Sequence, residues 1–303
     1  MEIVSGVLVV DKPAGPTSFA VVARVRRVLR ADKVGHTGTL DPAATGVLAV
    51  CVGEAVKLQQ FLTEGDKAYE AAIAFGAATD TEDAEGRVVE RGDPSALTTD
   101  AIEAALARFK GEIDQVPPMF SAVRVGGRRL HEAARAGEDV TRAPRRVRVH
   151  ALDLVDLAPL RDGIAVARVA VRCGKGTYVR TLAADLGRAL GVPAHLATLR
   201  RTEAGPFVLA EAIPLEEVER LAATDRAGLE ARLLPPAEAL RTLPAVRLAS
   251  RDARDLGQGR ALGIATAPTG LCRALDEGGR LLAVCEGSAG LLRPVRVLAR
   301  PQG

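Results

Sequence analysis

From Arg145 to Cys173 the chain reads RRVRVHALDLVDLAPLRDGIAVARVAVRC, and apolar and polar residues alternate through most of it. Alternation with period two places successive side chains on opposite faces of an extended chain, so 145–157 and 163–173 are expected to be two long strands. Working outward, GVLVV at 6–10 reads as a buried strand, and Ser18 is placed to cap an amphipathic helix running to Arg30. Strands are expected at 47–52 and 68–75, with a short helix at 54–62 between them. Thr99 is placed to cap a helix at 100–110, SAVRVGGRRL at 121–130 turns at Gly126-Gly127 as a hairpin would, and a helix at 177–190 follows the Gly174-Lys175-Gly176 turn. Strands and helices mixed without regular βαβ alternation favour an α+β fold with a mixed, largely antiparallel sheet over a doubly wound parallel one.

The chain has 303 residues, enough for one large domain and a smaller one. Residues 212–241 read as short helices, Pro235-Pro236 and Pro244 mark a junction, and beyond it short strands with Gly turns describe a small β-rich domain at 245–303. Aromatic residues make up only 3% and Trp is absent, so Tyr69 and Tyr178 are informative wherever a motif contains them. Cys51, Cys173, Cys272 and Cys285 lack CxxC spacing, and the four His lie far apart, which argues against a disulfide framework and a zinc site. No GxSxG elbow and no GxxxxGK[ST] loop occurs. No segment approaches the ~18 uninterrupted apolar residues of a membrane span, and a cytoplasmic location is expected.

Net charge is only +3 but unevenly spread. Residues 121–150 hold eight Arg against three acids, and 168–201 hold seven Lys/Arg against Asp185, while 76–103 is strongly acidic. Basic segments set apart from an acidic one suit a positive face for a polyanion.

The stretch GHTGTLDPAATGVL, 35–48, is too often interrupted by Gly and Pro for a helix, so it reads as a shaped loop feeding a strand. It carries one carboxylate, Asp41, and no set of metal ligands. A lone carboxylate acts as nucleophile or general base, kept charged by a nearby cation.

Together DKPAGPTS (11–18), GHTGTLDPAATGVL, the KAYEA context of Tyr69, VPPMFSAVRVGGRRL (116–130), CGKGTYVRTLAADLG (173–187) and LRRTEAG (199–205) resemble the successive motifs of the bacterial tRNA pseudouridine synthase B (TruB) family. The resemblance runs in order from about residue 5 to 240. It implies a pseudouridine-synthase-like catalytic domain over 1–240, whose last part, 200–240, is the helical segment, and a PUA-like RNA-binding domain over 245–303. One departure is RLHEAAR at 129–135, where His131 stands at a usually aromatic position.

The resemblance implies isomerisation of uridine-55 in the T loop of tRNA, with Asp41 as nucleophile and Arg180 as the guanidinium that pairs with it. The carboxylate's target is left open among ribose C1′, uracil C6 and a sugar proton. Tyr69 matches the aromatic that stacks on the flipped uracil, Tyr178 and Leu199 line the uridine pocket, His36 supports the loop and the RNA, and Lys12 is expected at the rim. No cofactor or metal is implied. The expected partner is the tRNA T-arm stem-loop, with no obligate protein partner and a monomeric enzyme. Two other readings are a guide-RNA-dependent relative and an RNA-folding factor whose output is T-arm remodelling.

Overall fold

The computed structural model describes residues 5–121, 124–125, 128–130, 138 and 140–298. Its strands in chain order are β1 (Gly6–Lys12), β2 (Val34–His36), β3 (Thr45–Val52), β4 (Lys67–Phe75), β5 (Ala77–Thr79), β6 (Val88–Arg91), β7 (Gly111–Gln115), β8 (Arg124–Val125), β9 (Arg128–Arg129), β10 (Arg145–Arg161), β11 (Ile164–Cys173), β12 (Ala194–Ala204), β13 (Phe207–Val208), β14 (Ile213–Pro214), β15 (Ala245–Arg247), β16 (Leu262–Gly263), β17 (Gly270–Leu275), β18 (Leu281–Ser288) and β19 (Leu291–Val297). The longer helices are Ser18–Leu29, Thr99–Ala107, Val179–Leu190, Leu215–Thr224 and Ser250–Gly257.

Two compact units divide the chain, and they do not follow its order: one holds residues 1–41, 47–63 and 205–303, the other 42–46 and 64–204. In the first, β1 lies between β14 and β3, pairing with β14 in parallel. Helix Ser18–Leu29 turns Val21, Val22, Val25 and Leu29 onto Leu8, Val10, Leu48 and Val50, the i, i+3, i+4 stripe that lets a helix cover a sheet. The same unit contains a five-stranded sheet in the order β15-β17-β18-β19-β16, with its own core around Leu256, Cys272, Cys285 and Leu292.

The second unit is built on β12-β4-β11-β10-β7, in which every pairing is antiparallel. The expected long strands are β10 and β11, hydrogen-bonded from Val149↔Cys173 to Arg161↔Ile164. One face is covered by helices Thr99–Ala107 and Val179–Leu190, with Ile102, Leu106, Leu182 and Leu186 packed on Ile73, Phe75, Val169 and Val171. The fold is thus α+β, a large mixed sheet with a small C-terminal β domain. Two of these cores bury thiols, Cys173 on β11 in the second unit and Cys272 opposite Cys285 in the C-terminal sheet, while Cys51 is buried on β3.

Two local expectations are corrected. Helix Ser18–Leu29 is capped by Thr17, whose hydroxyl accepts from Ala20 N–H at 3.1 Å, and Thr98 caps Thr99–Ala107 in the same way. Pro236 opens the short helix Pro236–Ala239, where a missing N–H costs nothing.

Candidate active site

Asp41 follows a residue held on both sides. The Ser18 hydroxyl accepts from Leu40 N–H at 2.8 Å and donates to Leu40 C=O at 2.9 Å, so one side chain satisfies both backbone groups of the residue before the carboxylate. This explains why Ser18 is not spent on its helix cap. Leu40 is itself buried, and Thr37 N–H bonds Ala49 C=O at 3.1 Å, fixing the loop from its inner side. At the start of the loop, Gln59 Nε2 donates to His36 C=O at 2.8 Å and packs over Gly35, where any Cβ would lie 2.4 Å from that nitrogen. Gly38 N–H donates to His36 Nδ1 at 3.3 Å, which assigns the neutral ring proton to Nε2. The loop closes at Gly46, whose φ of +101° and close approach to Arg201 exclude a side chain: a Cβ would sit 2.1 Å from Arg201 C=O, across the parallel pairing of β3 with β12.

Lys12 departs from the expectation of a rim residue. It ends β1 with 0% exposure, its ammonium donating to Pro13 C=O at 2.8 Å.

In the second unit, Tyr69 on β4 lies between Val171 of β11 and Arg201 of β12, and Leu199 faces Ala71 one strand pair away. Both pack on the core that also holds Val179 and Leu182. Two residues before Tyr69, the Lys67 ammonium is pushed below the usual lysine range, first by burial and then by the Arg201 guanidinium.

Tyr178 is the N-cap of helix Val179–Leu190, and Arg180 sits in its first turn with 5% exposure. A buried guanidinium is tolerated only when its donors are used. Here Nη1 donates to Thr81 C=O at 3.0 Å and lies 3.4 Å from Asp83 Oδ2, and Nη2 donates to Phe120 C=O at 2.9 Å. Next to it, Thr181 donates to Glu82 Oε2 at 2.7 Å. Burial pushes the Glu82 carboxyl above the usual range, opposed by the Thr181 hydrogen bond and the Arg180 charge. The acidic stretch 76–103 therefore supplies counter-charges to Arg180 of the basic segment 168–201.

The structure places Lys12, His36 and Asp41 in the first unit and Tyr69, Tyr178, Arg180 and Leu199 in the second. Sequence reasoning missed Asp83, Gln115 and the clasp that Ser18 makes on Leu40. Gln115 had one signal, its place directly before the VPPMFS motif. Within the basic segment 121–150, Arg124 and Arg129 are register partners in the β8–β9 hairpin, and Arg146 is exposed beside Glu112 and Asp114. His131 lies outside the described residues. Among the described residues no helix is long and apolar enough to cross a membrane.

The α+β fold with its large mixed sheet and small C-terminal β domain is that of a pseudouridine synthase, the class to which the family comparisons assign the chain. Residues 26–179 match the model of the TruB family pseudouridylate synthase N-terminal domain, 180–241 the tRNA pseudouridylate synthase B C-terminal domain, and 243–299 the tRNA pseudouridine synthase II C-terminal region. The chain belongs to the TruB family of tRNA pseudouridine synthases, which are isomerases. It is 55% identical to tRNA pseudouridine synthase B of Symbiobacterium thermophilum over 82% of this chain and 80% of that protein. With the protein of that name from Aromatoleum aromaticum the identity is 48%, over 98% and 94%. A crystal structure of a Cbf5–Nop10–Gar1 complex contains a similar chain, with TM-score 0.73, 26% identity and coverage of 97% and 85%.

Proposed function

We propose that this protein, acting as a monomer without a guide RNA, converts uridine-55 in the T loop of tRNA to pseudouridine, with Asp41 as nucleophile. The N1–C1′ bond breaks, the base turns, and a C5–C1′ bond forms while C5 loses its proton and N1 gains one; no net oxidation or reduction occurs. Arg180 keeps Asp41 ionised and directed, since a guanidinium is charged at every working pH and its fork suits a carboxylate. Tyr69 stacks on the extruded uracil, Tyr178 and Leu199 wall its pocket, and His36 supports the loop as a neutral hydrogen-bonding ring. Lys12, being buried with its ammonium on Pro13 C=O, supports the site from within the protein rather than on RNA. Residues 1–240 do the chemistry and 245–303 add RNA contact.

The observation that carries this reading is Asp41 in a loop whose preceding residue is clasped, in a chain whose three regions match the family's models in order. The test is tritium release from 5-labelled uridine in an unmodified tRNA transcript with this protein alone, followed by mapping of the product. Product at position 55 is expected; product elsewhere overturns the substrate assignment. Binding of a T-arm hairpin is expected to weaken with salt, with a log–log slope of several units. Retention of binding with no product from the unaltered protein would favour the RNA-folding reading instead.

A further inference from the structure

We infer that Gln115 is a positioning residue for the isomerisation: its buried amide clasps both backbone groups of Tyr178 and so sets the direction of the helical turn that carries Tyr178 and Arg180. The inference rests on the roles proposed above for those two residues.

Helix Val179–Leu190 begins without a side-chain cap, because its N-cap is a tyrosine, which has no short oxygen to reach the N2 or N3 amide. Gln115 supplies the missing order from outside the helix. Its Oε1 accepts from Tyr178 N–H at 2.7 Å, and its Nε2 donates to Tyr178 C=O at 3.0 Å, the same oxygen that accepts from Leu182 N–H at 3.1 Å. A side-chain amide thereby does for Tyr178 what a neighbouring strand would do. Gln115 can hold this geometry because it is itself fixed: it is 2% exposed and ends β7, paired with β10 from Gly111↔Val149 to Gln115↔Arg145.

The same short segment grips the turn a second time. Five residues on, beyond Pro117-Pro118, Phe120 C=O accepts from the Arg180 guanidinium at 2.9 Å. Pro restricts φ, so the two grips are joined by a stiff connection. Residues 115–120 therefore act as a splint, holding Tyr178 by its backbone and Arg180 by its side chain. A displacement of this turn misplaces both groups toward the uridine while leaving distributed phosphate contacts intact, which is why the effect falls on turnover rather than on binding.

The test is Gln115→Met, which keeps side-chain length and apolar stem but removes donor and acceptor. On tRNA, kcat is expected to fall about 10- to 100-fold with KM within about threefold, the pattern of a group felt in the transition state. The chain has only two tyrosines, so ring-labelled tyrosine gives two NMR signals, assigned with Tyr69→Phe. The Tyr178 signal is expected to shift in Gln115→Met and the Tyr69 signal to stay. Wild-type kcat in folded Gln115→Met, or a parallel loss in kcat and KM with both tyrosines perturbed, overturns the inference. Should Gln115→Met not fold, Gln115→Glu, which keeps the acceptor and loses the donor, is expected to show the same kcat loss, and normal turnover there overturns it. Absence of product from the unaltered protein overturns the proposed function and this inference together; the variants separate the two.

Discussion

The loop that carries Asp41 and the turn that carries Arg180 are secured by different chemistry. The first is held by main chain, a hydroxyl and an amide from nearby in sequence: Ser18 is 22 positions from Leu40, and Gln59 is 23 from His36. The second is held by partners 60 to 99 positions away, two of them carboxylates. The difference follows from what is being held. A carboxylate near the surface needs its backbone aimed, whereas a buried guanidinium needs its charge and donors satisfied from several directions.

Breaking the first side at its functional end should have the largest effect. Asp41→Asn keeps the shape but removes charge and nucleophilicity, so tritium release should fall by on the order of 10³ or more. Filter binding of tRNA should stay within about tenfold, or ~1.4 kcal/mol. Loss of binding and activity together would make the loop structural. Arg180→Lys comes next: charge is kept, but a single ammonium cannot meet Thr81 C=O, Asp83 and Phe120 C=O at once, and turnover should drop about 10- to 100-fold without vanishing. A drop equal to that of Asp41→Asn would mean that the two sides are not separable.

Ser18→Ala sharpens the comparison from the other side. It strips both bonds from buried Leu40 and should cost about 1–3 kcal/mol of unfolding free energy, read by denaturant titration, with the helix cap at Thr17 untouched. The smallest effect is expected at Glu82. Burial holds its carboxyl above the ordinary glutamate range in the folded protein, so folding favours the protonated form. That stabilisation is full at pH below the unfolded value and is lost as pH rises through the folded one. Thermal melts of Glu82→Gln and wild type should therefore diverge as pH rises through and above the ordinary carboxylate range, wild type losing ground; parallel curves would remove the desolvation argument.

This contrast also marks what was legible in the sequence. The alternation of 145–173 predicted β10 and β11 because one face of each strand is buried, and the Gly-Pro punctuation of 35–48 predicted a loop because few residues there tolerate helical geometry. Asp41 stood out because its motif is contiguous. Gln115 and Asp83 did not, since partners 63 and 97 residues away leave no spacing to read, and acids in a row look alike whether solvated or facing a buried arginine. Lys12 was misplaced for a related reason: its neighbours Pro13, Ala14 and Gly15 resemble an open turn, yet the strand that precedes them carries the lysine inside.

The four thiols give the chain a built-in gauge of how it comes apart. Burial pushes Cys51 and Cys285 up to about 12 and Cys173 up to about 11, so in the native state they are withheld from alkylating reagents. Because Cys51 is buried on β3, Cys173 in the core of the second unit and the Cys272/Cys285 pair in the C-terminal sheet, the sequence in which they become reactive under rising denaturant would date the opening of each. The native chain, with no added label, records its own order of disassembly.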